Sequence, residues 1–165
     1  MIEIMRKKII TIIILVIFII SILGLIYINY KSDIEAINNL NVNLNDVDIN
    51  DIKFTSFRLN FNIEINNPSE RFIVDLSTDF EIYIEDNFVG EGNFSNVNIQ
   101  NNSKINKDVI VTVYYDDLAD AAVNIIKNII DKGEFNLKIK GRIYAKVLFG
   151  MSIIEQNYLA TKTYK

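Results

Sequence analysis

The sequence predicts a mainly β fold: an antiparallel β-sandwich of about seven or eight strands with one inserted α-helix, preceded by a single transmembrane helix. Three observations predict it. Phe57, Leu59, Phe61, Ile63 and Ile65 alternate with Arg58, Asn60, Asn62, Glu64 and Asn66, the period of a strand with one buried and one wet face. Similar alternation recurs at short intervals down the rest of the chain, broken by turn residues. Residues 9–28 carry no charge, and about 20 apolar residues suffice to cross a hydrocarbon core.

The apolar run follows Arg6, Lys7 and Lys8, whereas only Lys31 stands close behind it before Asp33 and Glu35. That asymmetry assigns residues 1–8 to the cytoplasm and the remainder to the extracytoplasmic side. Tyr27 and Tyr30 sit where interfacial aromatics belong. A cleaved signal peptide would have a shorter apolar region ending in small residues; this run is long and leads into Tyr-Ile-Asn-Tyr, so an uncleaved signal anchor is expected. A lipoprotein is excluded because the chain has no cysteine to carry the lipid, and a pilin-type leader lacks its cleavage signature. Residues 29–39 are expected to be a polar tether with one helical turn around Ile34 and Ile37, ahead of a single domain at residues 40–165.

In that domain, Leu40, Val42 and Leu44 alternate with asparagines. Val47 and Ile49 resume after a one-residue slip at Asn45-Asp46, the signature of a β-bulge. Asp46, Asp48, Asn50 and Asp51 invite a calcium loop, but an EF-hand beginning at Asp46 needs Gly sixth and Glu twelfth. The chain has Asp51 and Phe57 there, so these are read as solvated strand residues. The strand at 57–66 stops at Asn67-Pro68, because proline removes a donor and restricts its predecessor.

A short apolar patch at residues 72–76 precedes a strand in which Phe80, Ile82 and Ile84 alternate with Glu81, Tyr83 and Glu85. Asp86-Asn87 is expected to form the hairpin turn, and Gly90 and Gly92 a bulge or strand end. Phe94, Val97 and Ile99 lead to a polar loop at 100–104, and Val109, Val111 and Val113 mark another strand.

Residues 117–132 give the one good helix signal. Leu118, Ala122, Ile125, Ile126 and Ile129 form an apolar stripe, and Asp120, Asn124, Lys127, Asn128 and Asp131 a polar one. Asp116 and Asp117 suit its N-terminus, Lys132 its C-terminus and Gly133 its C′ position. The Asp116, Asp117 and Asp120 cluster is therefore read as capping rather than as a cation site. Phe135, Leu137, Ile139, Gly141, Ile143 and Ala145 then face one way along a long strand, and a last strand lies around 153–161 after a break at Gly150. Short alternating strands with short connections describe an immunoglobulin- or fibronectin-III-like sandwich.

Composition restricts chemistry. Without cysteine or histidine, neither a disulfide, a thiolate metal site nor the usual general base is available. An enzyme would need a carboxylate pair, a Ser/Lys arrangement or a metal, and the Ser, Lys, Asp and Glu residues are scattered. No catalytic residue, cofactor or metal site is expected. Of 17 basic and 21 acidic residues, Arg6, Lys7, Lys8, Lys31 and Glu3 lie at or before the outer end of the anchor, leaving 13 basic and 20 acidic beyond it. That balance argues against nucleic-acid binding. The exception is a basic row, Lys138, Lys140, Arg142 and Lys146, a candidate contact for lipid headgroups, a polymer or an envelope protein. Its simpler account is a wet strand face protected from edge pairing. Asn93 and Asn101 head Asn-X-Ser sequons and are candidate glycosylation sites. The abundance of asparagine and isoleucine reads as base-composition bias, since periodicity survives it.

The order of these elements resembles a known family. An alternating strand, Asn67-Pro68-Ser69, an aliphatic strand, a tight turn with Val89 and Gly92, a Val-rich strand, an amphipathic helix and a strand carrying Gly141 are similar to the LEA14-like proteins, late embryogenesis abundant group 2, or WHy domain. The resemblance covers residues 40–161. Its most specific element is Asn-Pro-Asn, present here as Asn67-Pro68-Ser69; Ser69 departs from the usual Asn but can make a similar local turn. The resemblance implies a folded sandwich with one helix, an association with desiccation or stress tolerance, and no catalytic residues. A membrane-tethered protective protein is thus expected first. An envelope binding or assembly module working through its sandwich surface comes second.

Overall fold

The computed structural model describes residues 2–118, 120–147 and 150–164. Helix α1 (Ile2–Asn38) is followed by β1 (Asn41–Asn50), β2 (Ser56–Asn67), β3 (Ile73–Ile84), β4 (Asn87–Ile99) and β5 (Ser103–Tyr114). A 3-10 turn at Tyr115–Asp117 then leads into α2 (Asp120–Lys132), β6 (Phe135–Val147) and β7 (Ser152–Tyr164). Two antiparallel sheets, ordered β1-β2-β5 and β4-β3-β6-β7, form a sandwich.

The core lies between the sheets and is built by the alternating positions. Phe57, Leu59, Phe61, Ile63 and Ile65 are all buried on β2, and Phe135, Leu137, Ile139, Ile143, Ala145 and Val147 on β6. Both strands have hydrogen-bonded neighbours on each side, so their pattern is the cleanest in the chain. The slip expected at Asn45-Asp46 is a register shift between Asn45 and Asp48, with Asp46 at φ 45°. Nearby acidic residues are engaged locally: Asp51 pairs with Arg58 at 2.8 Å and Asp48 accepts from Asn50. Among the described residues, no group of three or more carboxylates comes together in a way that could hold a metal.

Several elements differ from expectation for physical reasons. The apolar patch at 72–76 and the following strand are one strand, β3, bent by register shifts around Leu76, with Asp75 at φ 51°. The hairpin turn lies one residue earlier than expected. Glu85 and Asp86 take positive φ, while Asn87 pairs with Ile84 and folds its amide back onto the carbonyls of Ile84 and Glu85, as a two-residue turn with both centres left-handed requires. Of the two alternatives at Gly90 and Gly92, the bulge holds and the strand end does not: β4 is continuous, and its register against β3 slips at Val89, between the Tyr83–Phe88 and Ile82–Gly90 pairs.

Helix α2 begins at Asp120, so Asp116 and Asp117 occupy the 3-10 turn ahead of it rather than its cap. Ala122, Ile126 and Ile129 are buried as the stripe predicts. Gly133 terminates the helix at φ 71°, donating its N–H to the Ile129 carbonyl at 2.7 Å, a left-handed C′ residue. Ala119 and the side chains of Asp120, Asp131 and Lys132 lie outside the described residues, as do the side chain of Lys7 and Lys165.

The largest departure is the tether. Residues 29–38 continue α1 without interruption, and Ala36 and Ile37 are buried against the sandwich. The apolar side chains of residues 9–28 are exposed along the same helix, which is long and apolar enough to cross a membrane.

Candidate functional site

Side-chain hydrogen bonds gather at the end of the sandwich that meets α1. Asn67 closes β2 there and is fully buried. Its amide donates to the Arg71 carbonyl at 2.7 Å and the Gln100 carbonyl at 3.0 Å. Its carbonyl oxygen accepts from the Ser69 N–H at 3.1 Å and the Ser69 hydroxyl at 2.7 Å. Both donors and both lone pairs of the side chain are thus used. Ser69 in turn accepts the Arg71 N–H, and its own carbonyl receives the Asn102 N–H at 2.8 Å. Pro68 between them prevents β2 from continuing. The Asn67-Pro68-Ser69 signature therefore welds the β2–β3 turn to the β4–β5 turn.

That weld fixes the backbone of Arg71, whose side chain reaches α1. The Arg71 guanidinium donates through Nε to Asp33 at 2.8 Å, also bonds Asp33 through Nη2, and donates to the Asn29 side-chain amide oxygen (Oδ1) at 3.3 Å. Gln156 on β7 donates to the free Asn38 carbonyl at the helix C-terminus. Asn29, Asp33, Ala36 and Ile37 lie four, three and one apart, on one face of a helix. The i, i+4 placement of Asn29 and Asp33 was available in the sequence; Arg71, with no motif of its own, was not.

Side chains of Arg71 and Asp33 keep 37% and 23% exposure, so the ion pair is screened and worth about 1 kcal/mol rather than a buried pair's value. Arg71→Gln is expected to leave the sandwich folded while amides at residues 33–38 exchange about fivefold faster, the equivalent of that energy in local opening. Hydrogen exchange on the full chain in detergent checks this; unchanged exchange would mean that apolar packing alone holds the helix.

The two glycines of the motif set occupy one row across the larger sheet. Gly92 pairs with Phe80, Phe80 with Gly141, and Gly141 with Tyr158. A Cβ on Gly92 would lie 2.6 Å from the Phe80 ring, and one on Gly141 2.5 Å from the Tyr158 ring. The glycines are spaces into which aromatic rings fold. Phe80 meets Phe61 and Phe94 in the core, and the Tyr158 hydroxyl lies 3.1 Å from the buried Thr78 hydroxyl.

Burial pushes the Tyr158 phenol up to about 12, against the pull of its Thr78 bond. Only the neutral phenol suits the folded state, so its contribution is whole below the ordinary value near 10 and is lost as pH climbs through about 12. In a spectrophotometric titration of the eight tyrosines, Tyr158→Phe is expected to remove the ionisation step at highest pH. Survival of that step would place another phenol in its role.

The basic row stands on the outer face of β6, and each member has a partner. Lys138 pairs with Asp86, whose carboxyl is held below its ordinary value by that hydrogen bond. Lys140 lies over the Tyr83 ring at 4.7 Å, Arg142 pairs with Glu155 and lies over Tyr144, and Lys146 bonds Asp75 at 2.9 Å. A hollow of about 760 Å³ beside Lys140 and Arg142 is lined also by Asp79, Glu81 and Glu91. The face is mixed in charge, not a cationic strip. Asn93 is exposed on β4, and Asn101 is exposed in the turn bonded to Ser69.

No family model matches the sequence, and no curated protein is significantly similar to it. Solved structures are similar in fold. AT1g01470 from Arabidopsis thaliana has a TM-score of 0.56 at 14% identity, over 73% of this chain and 78% of its own. A candidate late embryogenesis abundant (LEA) protein, At2g46140.1, has a TM-score of 0.50 at 12% identity, over 87% of this chain and 82% of its own. The fold is LEA-like. At these identities the likeness concerns architecture alone, and the LEA-like sandwich here is joined to an apolar helix.

Proposed function

We propose that this chain is a non-enzymatic, membrane-anchored LEA14-like (WHy-domain) protein whose sandwich works on the extracytoplasmic side, protecting envelope components during desiccation or osmotic stress. The observation that carries the reading is an LEA-like sandwich fastened through Arg71, Asp33 and Asn29 to a helix long and apolar enough to span a bilayer. Clustering of Arg6, Lys7 and Lys8 before the apolar run supports the proposed orientation. The scattered distribution of its Ser, Lys, Asp and Glu residues favours a non-catalytic role.

Deletion of the gene followed by drying or osmotic shock tests the protective role, with reduced survival expected; survival equal to the parent strain would sink it. Protease digestion of intact cells and of lysates, read with a tag at residue 165, tests the orientation. The tag is expected to be cut in intact cells.

A further inference from the structure

The sandwich exposes large apolar side chains at the end that meets α1: Phe72 at 56%, Val74 at 38% and Met151 at 77%. Exposure alone decides nothing, because Phe54 at the opposite end is 99% exposed. Position decides. The apolar run of α1 ends at residue 28, and the next residue, Asn29, already bonds Arg71. Phe72 follows Arg71 directly. Asn29 and Asp33 line one hollow of about 390 Å³ together with Phe72, Val74, Lys146 and Gly150, and Met151 adjoins Gly150. Because α1 is unbroken to Asn38, no flexible stretch separates the apolar run from the sandwich.

A bilayer of about 40–45 Å with a hydrocarbon core of about 30 Å leaves an interfacial layer of about 5–7 Å on each side. One helical turn rises about 5.4 Å, so groups abreast of residues 29–33 stand within that layer when residues 9–28 span the core. Apolar side chains beside cations suit this layer. Arg71, Lys146, Lys31 and Lys104 are among the cations at this end, with Asp33, Glu35, Glu64, Glu70 and Asp75 among the acids. Of the basic row, Lys146 alone lines the hollow shared with Asn29 and Asp33. Lys138 is eight residues from it along β6, about 26 Å away at strand rise.

We propose that Phe72, Val74 and Met151 form a seat in the interfacial layer of the membrane that α1 crosses, so that the sandwich stands on the lipid surface in one fixed orientation. This rests on the reading of α1 as a membrane span. It names the lipid-contacting surface of the sandwich as its apolar rim, not its basic row.

The chain has no cysteine, so single cysteines can be placed without background in the full chain. Phe72→Cys, Met151→Cys, Phe54→Cys and Ile17→Cys would each carry a polarity-sensitive bimane in nanodiscs of phosphatidylcholine and phosphatidylglycerol. Quenching is then read with nitroxide on the headgroup or deep in the acyl chain. Headgroup nitroxide is expected to quench the labels at 72 and 151 about threefold more than the label at 54, which the length of the sandwich, about 36 Å along β2 at strand rise, keeps distant. Acyl nitroxide is expected to quench the label at 17. If 17 is quenched while 72 and 151 behave like 54, the anchor stands and the seat is wrong. If 17 is also untouched, the anchor reading fails and the seat with it. Labels at 72 and 151 that shift to the blue without responding to nitroxide lipid would mean that a second copy of the chain covers the rim, which also overturns the proposal.

Discussion

Asn67→Ala is expected to lower the unfolding free energy of the sandwich by about 3–5 kcal/mol, because each buried polar group left without a partner costs about 1–3 kcal/mol. Four groups lose a bond at once: the Arg71 and Gln100 carbonyls, the Ser69 N–H and the Ser69 hydroxyl. The Gln100 carbonyl keeps the Ser103 hydroxyl at 2.8 Å, and the Ser69 hydroxyl as donor and the Arg71 carbonyl as acceptor keep only a 3.5 Å contact with each other. The site is partly buried rather than sealed, so water restores some of these bonds, and the cost stays below the sum of four. Asn67→Asp is expected to be at least as damaging. It keeps the acceptor for Ser69 but aims a carboxylate at two carbonyl oxygens. Ser69→Ala removes a weaker set of bonds and should cost about 1 kcal/mol. Guanidinium unfolding of the full chain in detergent, followed by tyrosine near-ultraviolet dichroism, ranks the three variants. An Asn67→Ala cost below that of Ser69→Ala would mean that the two turns are held by something other than Asn67. The same variant should loosen residues 33–38, since Arg71 is positioned by the turn that Asn67 organises.

What the sequence makes legible here follows from where interactions are local. The alternation of β2 and β6 survives because each strand is flanked on both sides and packed on one face, so burial has to follow a period of two. The slip at Asn45-Asp46 is legible for the same reason. Strand β3 reads as two pieces because Thr78, a core position, is polar and Asp75 bulges. Its hydroxyl is satisfied by Tyr158, 80 residues away, a partner no local pattern reveals. The helical continuation of α1 through residues 29–38 is hidden in the same way. Asn29 and Asp33 look like linker residues until Arg71, far along the chain, supplies their partner. At the site, Asn67, Pro68 and Ser69 were recognisable as a turn and a family marker. Their work as a joint between two turns and an anchor helix depends on cross-sheet neighbours. The basic row is legible in its spacing, whereas Asp86, Glu155 and Asp75, which answer its charge, come from other parts of the chain.

Fixed coupling follows from how the two halves of that joint are built. Asn67 and Ser69 are satisfied by backbone and by each other, so their bonds include no ion pair for salt to screen. The Arg71–Asp33 contact is half exposed and screened. Raising ionic strength therefore weakens the grip on α1 without touching the turns that present it, and Ala36 and Ile37 keep the helix seated through apolar packing.

Gly141→Ala is the second large effect, an expected loss of about 2–4 kcal/mol from one methyl group, combining overpacking with a stranded buried hydroxyl. The new Cβ would sit 2.5 Å from the Tyr158 ring and 2.6 Å from its hydroxyl oxygen, closer than nonbonded atoms approach. Backbone of β6 is clamped between β3 and β7 by hydrogen bonds on both sides, so the ring is the part that moves. Its movement breaks the bond to Thr78, leaving that buried hydroxyl only a 3.5 Å contact with the Asp79 carbonyl. The displaced phenol would also reach water and titrate near its ordinary value of about 10 instead of about 12. Tyr158→Ala supplies the control. With the ring gone, Gly141→Ala should be neutral or stabilising by about 0.5 kcal/mol, since glycine in a strand interior costs more chain entropy than alanine. The two substitutions should therefore show a coupling of about 2 kcal/mol or more in a double-mutant cycle. Equal costs for Gly141→Ala in both backgrounds would show that the glycine is required by the backbone of β6, not by the ring that covers it.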